Sequence, residues 1–211
     1  VNTRDDLLMT AYRVLGRSLS LDRNAVTAVQ FVVPVPARTA LLVLAVDQRR
    51  AQWWTARFPA DPMPDRRGDA ATGDLPGWIR AALTPADRSW GCVVPAARRD
   101  LPGGAEHQGH GLVVRLSCAY PCQGVLVLLR DEDQEPFPDA DRSFAVEFAA
   151  AVSRAVTASL LYRDQAQIAD TLRATLLPAP LPRVSGTRCG PHRRRHRSRR
   201  SDRRRGALCP R

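Results

Sequence analysis

Four residues near the C-terminus have the types and number of a zinc site. Cys189, His192, His196 and Cys209 read as C-x2-H-x3-H-x12-C, two thiols and two imidazoles. The residues between them are mostly Arg, Ser and Gly, with no apolar run to organise ligands, so metal binding is not expected there. Cys118 and Cys122 flank a turn at Tyr120-Pro121. Two thiols at that spacing can pair or bind a metal. The simpler account treats Cys118 as a small core hydrophobe and Cys122 as a turn residue. His107 and His110 sit in LPGGAEHQGHG (101–111) at a spacing that suits no helical face, and are expected to be solvated loop residues. No Gly-x-Ser-x-Gly and no Gly-rich phosphate loop follows a strand, and no Ser/His/Asp or Cys/His set can be assembled. The chain therefore reads as non-enzymatic, with no catalytic residue, no metal and no cofactor.

A binding role would fall to the aromatic residues. Trp54, Phe58, Trp78, Trp90 and Cys118 are the candidates for lining a pocket between a sheet and a short helix, and the same Trp residues equally suit a core.

The elements that would position them follow from periodicity. Residues 3–21 carry Leu8, Tyr12, Leu15 and Leu19 at helical spacing, a second helix is expected over 22–33, and Pro34 and Pro36 end the helical region. TALLVLAVD (39–47) is a near-continuous apolar run, as a strand covered on both faces requires. AQWWTARF (51–58) alternates and returns as its hairpin partner, with Trp54, Ala56 and Phe58 on one side. Residues 59–77 read as a loop, 75–83 as a short helix, 89–95 as a strand, and 111–119 with 125–130 as a second hairpin.

One stretch dominates the chain. From Asp141 to Leu177 there is no Gly and no Pro, and Phe144, Phe148, Val152, Val156, Leu160, Leu161, Ile168, Leu172 and Leu176 keep roughly one helical face. Asp139 or Asp141 can cap its start, and Pro178 stops it. A helix this long outruns a small domain, so its first half is expected on a core and its second half in solvent. Leu161, Ile168, Leu172 and Leu176 form the narrow seam expected of a helix paired with its own copy, a homodimer through residues 161–177. The expectation is an α+β fold, an antiparallel sheet packed against terminal helices.

HGLVVRLSCAYPCQGVLVLLRDEDQEPFPDADRSFAVEFAAAVSRAVTASLLYRD (110–164), with its paired strands, its P-F-x-D-x-D-R helix start and its closing Leu-Tyr, resembles the C-terminal half of a GAF domain. The resemblance extends over residues 5–163 and implies a regulatory module that senses an unidentified small molecule. The Asn-Lys-Phe-Asp-Glu pattern of cyclic-nucleotide binders is absent, and no Cys sits in a bilin-attachment context. The next residues, QIADTLRATLLPAPLP (167–182), are similar to the junction that joins a sensor to the catalytic domain in bacterial serine/threonine phosphatases of the SpoIIE type. That junction implies a GAF-like domain over 1–160, a helical connector over 161–182 and a phosphatase or kinase as output partner.

Residues 183–211 do not continue as such a phosphatase would, with an apolar strand and a Gly-Gly-Asp metal-binding stretch. They hold twelve of the 32 basic residues and one of the 21 acids, and so carry the whole formal charge of +11. No Lys occurs anywhere in the chain. The expectation is an Arg-rich disordered tail whose composition is that of out-of-frame GC-rich sequence, with the catalytic domain missing from this chain. The alternative is a small α+β protein that binds nucleic-acid phosphates non-specifically through this arm. The tail has no aromatic residue to stack a base. The chain has no run of about eighteen apolar residues and no leader, and its five Cys make an odd number. It is therefore expected in the cytoplasm, off the membrane, with reduced thiols.

Overall fold

Thr39–Ala45 is buried at all seven positions because it lies at the centre of a sheet packed on both faces. In the computed structural model, which describes residues 3–58, 66–84, 92–118 and 122–176, this strand is β1. The other elements are α1 (Thr3–Val14), α2 (Leu21–Phe31), β2 (Arg50–Arg57), β3 (Arg66–Ala71), α3 (Gly77–Leu83), β4 (Cys92–Asp100), β5 (Glu106–Leu116), β6 (Gln123–Asp131) and α4 (Asp139–Leu176). The six strands run β3-β2-β1-β6-β5-β4, with every neighbouring pair antiparallel.

The period-2 alternation of each strand separates two cores. Ala40, Leu42, Leu44, Trp54, Leu126 and Leu128 pack under α1, α2 and α4, while Leu41, Val43, Trp53, Val127 and Leu129 meet Leu75, Ile79 and Leu83 around α3. The expected α+β class and both expected hairpins, β1–β2 and β5–β6, are present.

Four boundaries differ from the sequence reading: the strand expected over 89–95 is β4, which continues past Pro95 to Asp100 through a register shift between Val94 and Ala97, and the other three have the local reasons that follow. α1 stops at Val14, because Gly16 takes a φ of +84° that turns the chain out of the helix. β3 lies inside the stretch read as a loop. Its RRGDAA sequence lacks apolar alternation because β3 is an edge strand, paired on one side only, with Asp69 opposite Gln52. β5 starts at Glu106, five residues before the expected strand. Gly109 there has a φ of +151°, and a Cβ at that position would stand 1.9 Å from the Arg130 carbonyl oxygen, so the glycines that suggested a loop allow two strands to approach. His107 is consequently buried, with Nε2 3.1 Å from the Arg130 carbonyl oxygen, and burial lowers its pKa. The expectation of a solvated His107 is corrected.

α4 runs without interruption for 38 residues, about 57 Å at the usual rise. Phe144, Phe148, Val152, Val156 and Leu160 are buried at four-residue spacing, with Ala145, Ala149 and Ala155 beside them. From Leu161 to Thr175 every residue is exposed except the half-buried Ala169. Length and composition would let α4 cross a bilayer, but most of its apolar window is buried on the domain. Asp141 does not cap the helix. Its carboxylate accepts from Arg4 Nε at 2.8 Å and from an Arg130 terminal nitrogen at 2.6 Å, tying α1, β6 and α4 together.

Candidate functional site

α4 leaves the core beside the N-terminus of α2 and the outer strands β2 and β3, and a cleft of about 610 Å³ opens there. Its wall includes Asp22, Trp54, Arg67, Asp69, Tyr162 and Arg163. Ser20 caps α2, accepting from the Arg23 N–H at 3.4 Å, so Asp22 falls in the first turn, where the helix dipole favours an anion. Trp54 faces the helices because it shares a strand face with Ala56, and its indole N–H donates to Asp22 Oδ1 at 2.8 Å. Arg67, from edge strand β3, sets its guanidinium 2.6 Å from Asp22 Oδ2. These two donors hold the Asp22 carboxyl below its usual pKa, the indole bond contributing most. Beside them, Gln52 donates to Asp69 Oδ1 at 3.0 Å.

The back of the cleft is fixed by one buried amide. Asn24 Nδ2 donates to the Ser18 carbonyl at 2.7 Å and to Ser159 Oγ at 2.9 Å, joining α2 to the last buried turn of α4. The cleft thus combines an indole surface, an acid–base pair and a free wall on the departing helix. Such a site suits a small molecule of mixed polarity.

Asp22→Ala is expected to leave the buried Trp54 N–H without its acceptor and to lower stability by about 1 kcal/mol at neutral pH. The carboxyl is about half exposed and screened, which keeps the effect small. Its folded pKa is depressed, so this stabilisation is present above the unfolded carboxyl pKa and fades as pH falls through the folded value. Urea unfolding at neutral and acid pH checks this. Equal stability of the two proteins at neutral pH would contradict the assignment.

The residues singled out from sequence do not gather. Trp54 lines the cleft and Cys118 is half-buried at the end of β5 on the same sheet face. Trp78 lies on the opposite face, on α3, and donates to the Asp100 carbonyl at 3.0 Å. Phe58 follows β2 and is 45% exposed, with the Arg38 guanidinium 5.7 Å from its ring centre. Trp90 lies outside the described residues, as do Cys189, His192, His196 and Cys209, where metal binding was not expected. Among the described residues no group of three or more His, Cys, Asp or Glu could hold a metal ion. Leu161, Ile168 and Leu172 project into solvent from α4, and the side chain of Leu176 is outside the described residues. Sequence reasoning did not find Asp22, Arg67 or Arg163. They come from three separated segments, and nothing local marks them.

No family model matches the chain, and no curated protein matches it by sequence. Solved structures do match its shape. The GAF domain of an Acinetobacter phosphoenolpyruvate-protein phosphotransferase is similar with a TM-score of 0.57 and 17% identity, over 76% of this chain and 96% of that one. The phycocyanobilin-bound GAF domain of a cyanobacterial phytochrome gives 0.53 and 12%, over 75% and 96%. The free methionine-R-sulfoxide reductase of Neisseria meningitidis, in complex with its substrate, gives 0.51 and 17%, over 75% and 91%. At such identities the likeness is one of fold: this chain has a GAF-like α+β fold, a six-stranded antiparallel sheet with a long C-terminal helix.

Proposed function

We propose that the protein is a cytoplasmic regulatory module that receives a small-molecule signal at the cleft beside α4 and dimerises through the outgoing half of that helix. The carrying observation is the abrupt change along α4. Five turns of buried apolar residues give way at Leu161 to a segment whose large apolar side chains, Leu161, Ile168 and Leu172, are 55%, 61% and 53% exposed. Their spacings of seven and four residues are those of a coiled-coil seam, and burying each against a partner copy yields about 1.5–3 kcal/mol. The output is a serine/threonine phosphatase domain of the SpoIIE type or a separate phosphatase or kinase, a reading supported by the junction-like residues 167–182.

Sedimentation velocity tests the dimer. The full chain is expected to sediment as a dimer at micromolar concentration, and Ile168→Arg to weaken association by roughly a hundred-fold or more without changing the unfolding midpoint of the monomer. A monomeric full chain, or a dimer indifferent to Ile168→Arg, would refute the proposal.

A further inference from the structure

Two thiols meet where β5 and β6 end. The strands pair Leu112 with Leu128 and Leu116 with Gly124; carried one alternation past that last pair, the register would set Cys118 opposite Cys122, and the two side chains are hydrogen-bonded to each other. Both side chains fall on the helix-facing side. Cys122 belongs to the core that contains Leu116, Leu126 and Leu160, and Cys118 packs against it. Directly opposed residues of an antiparallel pair have Cα separations of about 4.5–5.5 Å, within the roughly 4.4–6.8 Å that a disulfide spans. The strand end is held in place: the Ser117 N–H donates to Ser153 Oγ at 3.1 Å, and Ser153 Oγ donates to the Ala149 carbonyl at 2.7 Å. Both cysteines are free thiols.

We propose that Cys118 and Cys122 form a reversible dithiol switch oxidised by hydroperoxides, with Cys122 as the attacking sulfur and Cys118 as the resolving one. The two are not equivalent. The Cys118 S–H hydrogen-bonds to Cys122 and, together with the positive charge of Arg163 on α4, pulls the Cys122 thiol below its ordinary pKa, while the same hydrogen bond and burial push Cys118 up. Two adjacent thiols, one of which ionises more readily than the other, are the arrangement of a redox-responsive pair. In the first step Cys122 S⁻ attacks the peroxide. An S–O bond forms, the O–O bond breaks, and the departing alkoxide or hydroxide takes a proton to leave as an alcohol or water. In the second step Cys118 loses its proton and attacks the Cys122 sulfenic sulfur. The S–S bond forms and the hydroxyl leaves as water. Two thiols have lost two electrons to the peroxide, and a dithiol reductant returns them. The switch stands on the hairpin, shares only Arg163 with the cleft and does not need the dimer.

The test uses the reduced full chain and hydrogen peroxide. Trypsin releases residues 116–130 as one peptide that holds both cysteines and no internal Arg. This peptide is expected to become lighter by two hydrogen atoms, to resist alkylation, and to recover both thiols with dithiothreitol. In Cys118→Ser, Cys122 is expected to accumulate as a sulfenic acid trapped by a cyclic 1,3-dione. In Cys122→Ser, peroxide consumption at Cys118 should fall at least roughly ten-fold. Peroxide that leaves both thiols of the wild-type peptide alkylatable, while Cys92, Cys189 or Cys209 is oxidised, would overturn the switch without any substitution being needed. An unchanged rate in Cys122→Ser would overturn the assignment of the attacking sulfur.

Discussion

Asp141→Ala is expected to remove about 3 kcal/mol of folding stability, whereas Arg4→Ala removes less than about 1 kcal/mol. Asp141 is 2% exposed, and its carboxylate accepts from Arg4 at 2.8 and 2.5 Å and from Arg130 at 2.6 Å. Removing it leaves Arg130, 16% exposed, as a largely buried cation without its counter-charge. Truncating one member of a buried pair usually destabilises by about 3–5 kcal/mol. The lower end applies because Arg130 keeps the carbonyls of Pro36, Glu135 and Pro136 as acceptors and lies 4.4 Å from the centre of the Phe137 ring. Arg4 is 42% exposed and can turn to water, so the opposite truncation leaves Asp141 still paired with Arg130. Urea unfolding midpoints of the two variants provide the measurement. Equal, small losses would show that the carboxylate is not the tie between α1, β6 and α4.

Phe148→Ala is expected to be the more damaging change, at about 4 kcal/mol. Phe148 has no exposed surface and stacks against Phe31 of α2 at 5.7 Å and Phe144 one turn earlier on α4 at 5.9 Å, both nearly parallel. Its removal forfeits the transfer energy of the ring and leaves a void between two helices and the sheet, which their backbones can close only in part. The denaturant midpoint should fall with an unchanged slope. Leu172→Ala, on the exposed half of the same helix, should move monomer stability by no more than about 0.5 kcal/mol. A loss below about 1 kcal/mol for Phe148→Ala would mean that α4 is not seated as described.

Both substitutions fall in the stretch where the sequence was most legible. An apolar residue every fourth position from Phe144 to Leu160, with no Gly or Pro, admits little besides a helix seated on a core, and the structure has it. TALLVLA likewise reads as a central strand because both its faces are apolar. Edge strands hide. β3 needs to satisfy one neighbour and water, so RRGDAA carries no alternation, and β5 conceals its first half behind a glycine required by close strand contact. The candidate site was the least legible part. Periodicity assigned Trp54 to one strand face correctly, but grouping it with Trp78 required knowing which face α3 covers. The Asp22–Trp54–Arg67 cluster joins a helix start, a strand middle and a sheet edge, and such adjacency is created only by strand order.

The unbroken backbone of α4 makes its far end a lever. With no Gly or Pro to bend at, the sixteen residues beyond Leu160 extend about 24 Å as a stiff rod. A tilt of about 10° at the fulcrum, where Asn24 grips Ser159, swings the tip by about 4 Å, roughly three-quarters of the pitch of one helical turn. A displacement too slight to disturb the packing of the domain is thereby enlarged at the tip of the rod.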